Sequence, residues 1–292
     1  MIYLIAMIPA LGWGFMPIIT TKVGGSPVNQ MFGLAAGASV IGVITYLIFR
    51  PAITAPQFWF TFAIGIFWST AQVGQFVSFK RMGVSSTIPM STAFQLIGSC
   101  VLGILFFGNW PGSRQKIIGL IALVVVMIGV LMTSVSDDVE ESRITPKNVL
   151  YLLVTTAGYL AYSTFPNMAI VKSVSPTALL LPETLGILTG ATIYAFLKDP
   201  HSFRQREQYL NITSGLAWGI AGLTYIFAGQ GLGVATAQLF TTVGCIYGTY
   251  GGIYILHEKK SRREFTWITF GSILIVLASA VTGFIAQLAV LL

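Results

Sequence analysis

"GVSSTIPMST" at 83–92 returns later in the chain as "GVATAQLFTT" at 233–242, a shift of 150 residues. Both stretches sit inside long apolar runs, and the echo continues beyond their ends. At nearly the same shift Trp13 falls on Tyr162, Pro17 on Pro166, "GGSP" at 24–27 on "SVSP" at 173–176, and Trp68 on Trp218. Self-similarity over this distance reads as two copies of one structural unit.

Composition decides what solvent surrounds the copies. The chain of 292 residues is 55% hydrophobic and 9% charged, with a mean hydropathy of +0.81. That balance lies well outside the range of a soluble domain and indicates an integral membrane protein. The formal charge of +7 does not point to nucleic acid, because the 16 Lys and Arg occupy short gaps between apolar runs with no interleaved aromatics. Cys100 and Cys245 each lie within an apolar run, so neither a disulfide framework nor a metal cluster is indicated. The run starting at Met1 has no basic leader segment and is expected to be a retained span, not a signal peptide.

Runs of about 20 apolar residues suffice to cross roughly 30 Å of hydrocarbon as helix. Ten occur, near 2–21, 30–49, 58–79, 84–107, 116–134, 148–170, 176–197, 209–229, 233–256 and 265–288. They are continuous, not alternating, so helices are expected and a β-barrel is not. The charged gap "SVSDDVEESRITPK" at 134–147 holds four of the nine acids and falls between runs five and six. This divides the chain into a first five-helix repeat (1–134), a charged linker (135–147) and a second five-helix repeat (148–292). An odd helix count per copy makes the second copy enter from the opposite side, so the repeats are inverted. Gaps after odd-numbered runs hold twelve basic residues, among them Lys80, Arg81, Lys259 and Lys260; the other gaps hold only Arg50, Arg114, Lys116 and Lys172. The bias predicts the odd gaps on the cytoplasmic side.

Glycines at four-residue spacing (Gly33 and Gly37, Gly186 and Gly190, Gly215 and Gly219, then Gly244, Gly248 and Gly252) read as close helix packing. None belongs to a phosphate-cradling loop. Pro17 and Pro166, at matched positions, are expected to free backbone carbonyls as hinges would.

Polar side chains within the spans carry the chemistry. Gln72, Gln75, Ser91, Thr92 and Gln95 lie in the first half; Asn167, Gln238, Thr241 and Thr242 lie in the second. Ser91, Thr92 and Gln95 span about one turn, and Thr241 with Thr242 fills the equivalent turn of the other copy. An uncharged lining of this kind suits a neutral, hydroxyl-rich ligand better than an ion. Trp13, Trp68, Trp218, Tyr225 and Tyr247 also lie inside spans, away from the membrane interface. Flat rings cover the apolar faces of a sugar; Trp13 and Trp68 are the site candidates, the others reading as core packing. In "LLLPETLGIL" at 179–188, Glu183 is the one acid well inside a span. In lipid such an acid is expected to face a cavity, hold a partner or carry a proton. "HEKKSRRE" at 257–264 reads as an interfacial cluster.

"PALGWGFMP" at 9–17, "GGSPVNQ" at 24–30, "GVSSTIPMSTAFQL" at 83–96 and "HEKKSRRE" at 257–264 resemble the bacterial glucose uptake proteins, in the sugar branch of the drug/metabolite transporter superfamily. The resemblance covers essentially the whole chain. It implies a multi-pass protein of the bacterial cytoplasmic membrane that imports glucose or a related monosaccharide by proton symport, without a cofactor. Joined to the residue reading, it yields a carrier working by alternating access. Trp13, Trp68, Gln72, Gln75, Ser91, Thr92, Gln95, Asn167, Gln238 and Thr241 are expected to bind the sugar, and Glu183 to couple the proton. The rivals are an exporter of amino acids, drugs or other metabolites, a passive channel, and a membrane enzyme. The last lacks paired carboxylates, a metal-ligand cluster or a Ser, His and Asp constellation within the spans.

Overall fold

The computed structural model describes residues 2–106, 108, 110–133, 135, 137, 144–232, 237, 240–285 and 288. It is helical, with no strand among those residues. In chain order the helices are α1 (Ile2–Val23), α2 (Pro27–Phe49), α3 (Ala55–Met82), α4 (Val84–Phe106), α5 (Ser113–Thr133), α6 (Pro146–Thr155) and α7 (Ala157–Thr164). They continue as α8 (Pro176–Lys198), α9 (Arg206–Leu210), α10 (Ile212–Leu232), α11 (Gly244–Tyr254) and α12 (Arg262–Gly283), with short 3-10 turns at Phe165–Asn167 and Pro200–Arg204.

Local sequence explains where several of these begin. Ser26 caps α2: its hydroxyl accepts the Asn29 N–H at 3.3 Å, the Asn29 side-chain oxygen accepts the Ser26 N–H at 2.7 Å, and Pro27 follows in the first helical turn. Ser261 and Glu264 repeat the device at the start of α12.

Seven spans among the described residues are long and apolar enough to cross a membrane: α1, α2, α4, α5, α8, the stretch Arg206–Leu232 formed by α9 and α10, and α12. Their outward faces carry Leu4, Leu47, Ile48, Phe106, Leu131 and Leu197, while Gln72, Ser86, Glu183 and Thr184 are buried. Apolar residues outside and polar ones inside mark a multi-pass membrane protein. The third predicted run is the 28-residue α3, whose glutamines and hydroxyls dilute its hydropathy. The sixth, expected as one helix over 148–170, is instead broken. Thr156 marks the break between α6 and α7, its hydroxyl bonded to the Leu152 carbonyl at 2.8 Å, and Pro166, lacking an N–H, ends the helical path in a 3-10 turn. Of the ninth, α11 and a helical segment at 240–242 are described; Gly233 to Thr236, Gln238 and Leu239 lie outside the described residues, as does most of the linker.

Helix pairing crosses from one half of the chain to the other. α1 packs on α10 and α11, α2 on α8 and α10, α3 on α6, α7 and α8, α4 on α11, and α5 on α12 at the periphery. Glycines set the closest approaches. A methyl group at Gly37 would strike the Ile212 carbonyl, and one at Gly186 the Phe62 carbonyl. Backbones meet there directly, which is how helices pack when lipid supplies no hydrophobic contrast.

Because overpacking such a contact costs about 1–3 kcal/mol, Gly186→Val is expected to lower the melting temperature in detergent. Gly112→Val, whose nearest neighbour would be Gln115 at 3.8 Å, should leave it unchanged. Equal melting temperatures for the two variants would contradict this packing.

Candidate functional site

Helical periodicity brings together residues that the sequence separates. On α3, Trp68, Gln72 and Gln75 recur at intervals of four and three, so they share one face; Ile88, Thr92 and Gln95 do the same on α4. These faces, with Trp13, Gly14 and Met16 of α1, form one side of a cavity of about 90 Å³. The other side comes from the second half: Tyr159, Tyr162 and Ser163 of α7, Trp218 and Tyr225 of α10, then Thr241, Gly244 and Cys245. That volume has room for roughly six water molecules, space on the scale of one small polar solute.

Aromatic rings make much of the wall. Trp68 and Trp218 stand 4.6 Å apart between ring centroids, Trp13 and Tyr225 5.1 Å, and Tyr162 stacks on Tyr225 at 5.5 Å. Each ring fixes its neighbour, so the flat faces are set before any ligand arrives.

A chain of neutral dipoles runs beside them. Tyr159 donates its hydroxyl to Gln72 Oε1 at 2.9 Å and lies 3.1 Å from Gln75 Oε1. Gln72 Nε2 donates to Gln75 Oε1 at 3.2 Å, and Gln75 Nε2 donates to Ser91 Oγ at 2.9 Å. Gln95 Nε2 reaches the same Ser91 oxygen at 3.2 Å. The network holds the amides in fixed orientations from α3, α4 and α7 together. Two buried groups on the wall, Trp13 Nε1 and the Tyr162 hydroxyl, have no hydrogen-bond partner among the described residues. Unpaired polar atoms cost free energy in a low dielectric, which a polar guest would recover. The wall carries no charged side chain among the described residues, so a neutral, polar ligand with apolar faces fits it.

Of the expected site residues, the structure places Trp13, Trp68, Gln72, Gln75, Thr92, Gln95 and Thr241 on this wall. Ser91 stands behind it as the shared acceptor of two glutamines. Asn167 lies off it, donating to the Gly229 carbonyl at 3.4 Å and so tying the 3-10 turn to α10. Gln238 lies outside the described residues. Glu183 is fully buried in α8 where α3 crosses, and a methyl group on Gly65 would strike its carbonyl. Neither carboxyl oxygen has a hydrogen-bond partner among the described residues, and Glu183 is not part of the cavity lining.

Tyr159, Tyr162, Ser163, Trp218, Tyr225 and Cys245 line the cavity without having been singled out for it. A signal for two of them was present. In the sequence Tyr162 matches Trp13 and Trp218 matches Trp68 at shifts of 149 and 150 residues, and both members of each pair line the cavity.

A family model described as "Sugar transport protein" matches residues 4–285. A protein of Lactobacillus helveticus, provisionally named a sugar uptake protein, is 37% identical over 95% of this chain and 99% of its own. The glucose uptake protein GlcU of Bacillus subtilis is 33% identical, over 96% of this chain and 97% of its own. A protein of Latilactobacillus sakei, provisionally named the ribose uptake protein RbsU, is 36% identical over 97% and 98%. One solved crystal structure shares the fold at a TM-score of 0.64 and 13% identity, covering 95% of this chain and 96% of that one.

A solute in the cavity must lie against Trp13, Trp68 and Trp218, whereas Trp59, Trp110 and Trp267 sit elsewhere. Saturable change of intrinsic fluorescence on adding a ligand is therefore expected to vanish when the first three are changed to Phe. It should survive the same change in the other three; the reverse pattern would place the ligand outside this cavity.

Proposed function

The chain belongs to the sugar transport protein family, and we propose that it imports glucose or a related monosaccharide by proton symport, through alternating access. The observation that carries this reading is the neutral cavity walled by both halves, in which indole and phenol faces flank a fixed line of amides. Rings can cover the apolar faces of a pyranose while amides and hydroxyls meet its edge. An exporter of cationic compounds would call for a charged wall instead.

Alternating access needs two halves that can exchange roles, and the packing supports an inverted repeat of residues 1–134 and 148–292 about the linker 135–147. Gly37 against the Ile212 carbonyl is matched by Gly186 against the Phe62 carbonyl. Gly65 against the Glu183 carbonyl is matched by Gly215 against the Leu34 carbonyl. All four positions correspond at shifts of 149 or 150 residues. The cavity wall obeys the same exchange, pairing Trp13 with Tyr162, Gly14 with Ser163, Trp68 with Trp218, Gln75 with Tyr225 and Gln95 with Cys245. On this reading the ten predicted runs form five antiparallel counterparts, and rocking one half against the other opens the cavity to each side in turn. Asn167 belongs to the site only in states where the turn after α7 moves toward the sugar.

Glu183 breaks the exchange. Its counterpart is Leu34, fully buried like it. An acid in one copy where the other keeps leucine has no packing rationale, and a carboxyl without a hydrogen-bond partner is stable there only with its proton. The proton enters with the sugar from the high-proton side, neutralising the carboxyl so that the halves close over an uncharged interior. It leaves to the low-proton side when the cavity opens there.

In proteoliposomes with an imposed pH gradient, the parent protein is expected to accumulate labelled glucose above equilibrium, saturably, and to lose accumulation with an uncoupler. Glu183→Gln should retain sugar exchange while accumulation falls to the equilibrium level. Full uphill accumulation in that variant would remove Glu183 from the coupling.

A further inference from the structure

The charged end of the ninth run, "HEKK" at 257–260, takes no part in the cavity, yet it makes one of the most specific contacts between the two halves. α3 ends at Met82, Gly83 turns the chain with φ +81°, and α4 begins at Val84. The first N–H groups of a helix have no partner within it. Here the Glu258 carboxylate, 174 residues away in sequence, supplies one: Val84 N–H donates to Oε1 at 2.6 Å and Ser85 N–H to Oε2 at 3.1 Å. The Ser85 hydroxyl donates to Oε2 as well, in a short contact, and Lys260 Nζ donates to Ser86 Oγ at 3.2 Å. A carboxylate at a helix N-terminus also meets the positive end of the helix dipole.

Reaching this position strains the chain. His257 adopts φ +56°, a left-handed conformation disfavoured for a residue with a β-carbon. A strained residue that aims its neighbour at a specific partner is a mark of function. Above the contact the two helices converge without a gap. A methyl group on Gly252 would lie 2.8 Å from the Ser85 nitrogen, and one on Gly248 3.0 Å from Ile88, which already lines the cavity. One turn of α4 therefore separates Glu258 from the cavity floor. In the first half the position matched to Glu258 is Gly108, which carries no carboxylate.

We propose that Glu258 is the latch that closes the cavity toward the face bearing Lys80, Arg81, Lys259 and Lys260, and that opening to this face requires its carboxylate to leave the start of α4. The inference rests on the alternating-access reading, and it adds an asymmetry to it: the acid at this closure is matched in the other copy by a glycine. "GVSS" at 83–86 thereby acquires a role, with Gly83 making the turn, Val84 and Ser85 presenting the donors and Ser86 holding Lys260.

Cys245 lines the cavity and is one of only two cysteines in the chain, so with Cys100→Ser it becomes an internal reporter of access. The test measures its modification by a membrane-impermeant methanethiosulfonate in vesicles of both orientations, without sugar or a proton gradient. Its outcome is thus independent of substrate identity and of proton coupling. Losing a charge-assisted contact to several donors should make Glu258→Gln react about tenfold faster from the face bearing Lys80 and Arg81. The rate from the opposite face should not rise, and Glu258→Asp should recover much of the slow rate. An unchanged rate, including no reaction in either protein, overturns the latch. So does an equal rise from both faces, which would report general loosening of the fold.

Discussion

Everything in this molecule follows from the lack of water to solvate a dipole inside the bilayer. Helices satisfy the backbone internally, which leaves side-chain amides, hydroxyls and one carboxyl to find partners among themselves or around an internal space. The chain does both. Serines and threonines such as Thr20, Ser39 and Thr184 return their hydroxyls to carbonyls of their own helix and stay in the packed interior. Gln72, Gln75, Gln95 and Tyr159 are bonded to one another and to Ser91 across helices, and their line forms the cavity wall. The same physical requirement thus separates polar groups that merely fit from those that form a site.

On the proposed inverted repeat, duplication supplies the geometry and departures from it the direction. The matched pairs Gly37 with Gly186 and Gly65 with Gly215 bring backbones into contact, and Trp68 meets Trp218 at the cavity. The first copy contributes amides at Gln72, Gln75 and Gln95, the second phenol hydroxyls at Tyr159, Tyr162 and Tyr225. A polar solute would therefore meet two chemically different walls. Glu183 against Leu34 and Glu258 against Gly108 are two acidic departures. One lies beside the cavity and the other at its end, as expected if the first couples transport to protons and the second biases which side is closed.

Much of this was legible in the residues. Continuous apolar runs marked the spans because nothing else satisfies a backbone in lipid, and glycine spacing marked the contacts because no larger residue fits them. Seven of the ten expected site residues reach the wall, since in-span amides and rings are too costly to be scattered idly. The break in the sixth run was harder to see, for Pro166 was visible as a hinge but the turn at Thr156 depends on a hydroxyl competing for a carbonyl. Tyr159 was hidden because a tyrosine in mid-run reads equally as core packing; its bonds to Gln72 and Gln75 disclose its place. Asn167 looked like the other amides and proved to hold a turn, a distinction that periodicity does not contain.

The most direct test of the account is counterflow of labelled glucose into proteoliposomes loaded with unlabelled sugar, which needs no gradient and reads passage through the cavity alone. Wild-type protein should show a transient, saturable overshoot of label, and a variant with Gln75→Leu and Thr92→Val, which makes part of the amide and hydroxyl wall apolar, should show none. An undiminished overshoot in that variant would mean that the sugar crosses elsewhere.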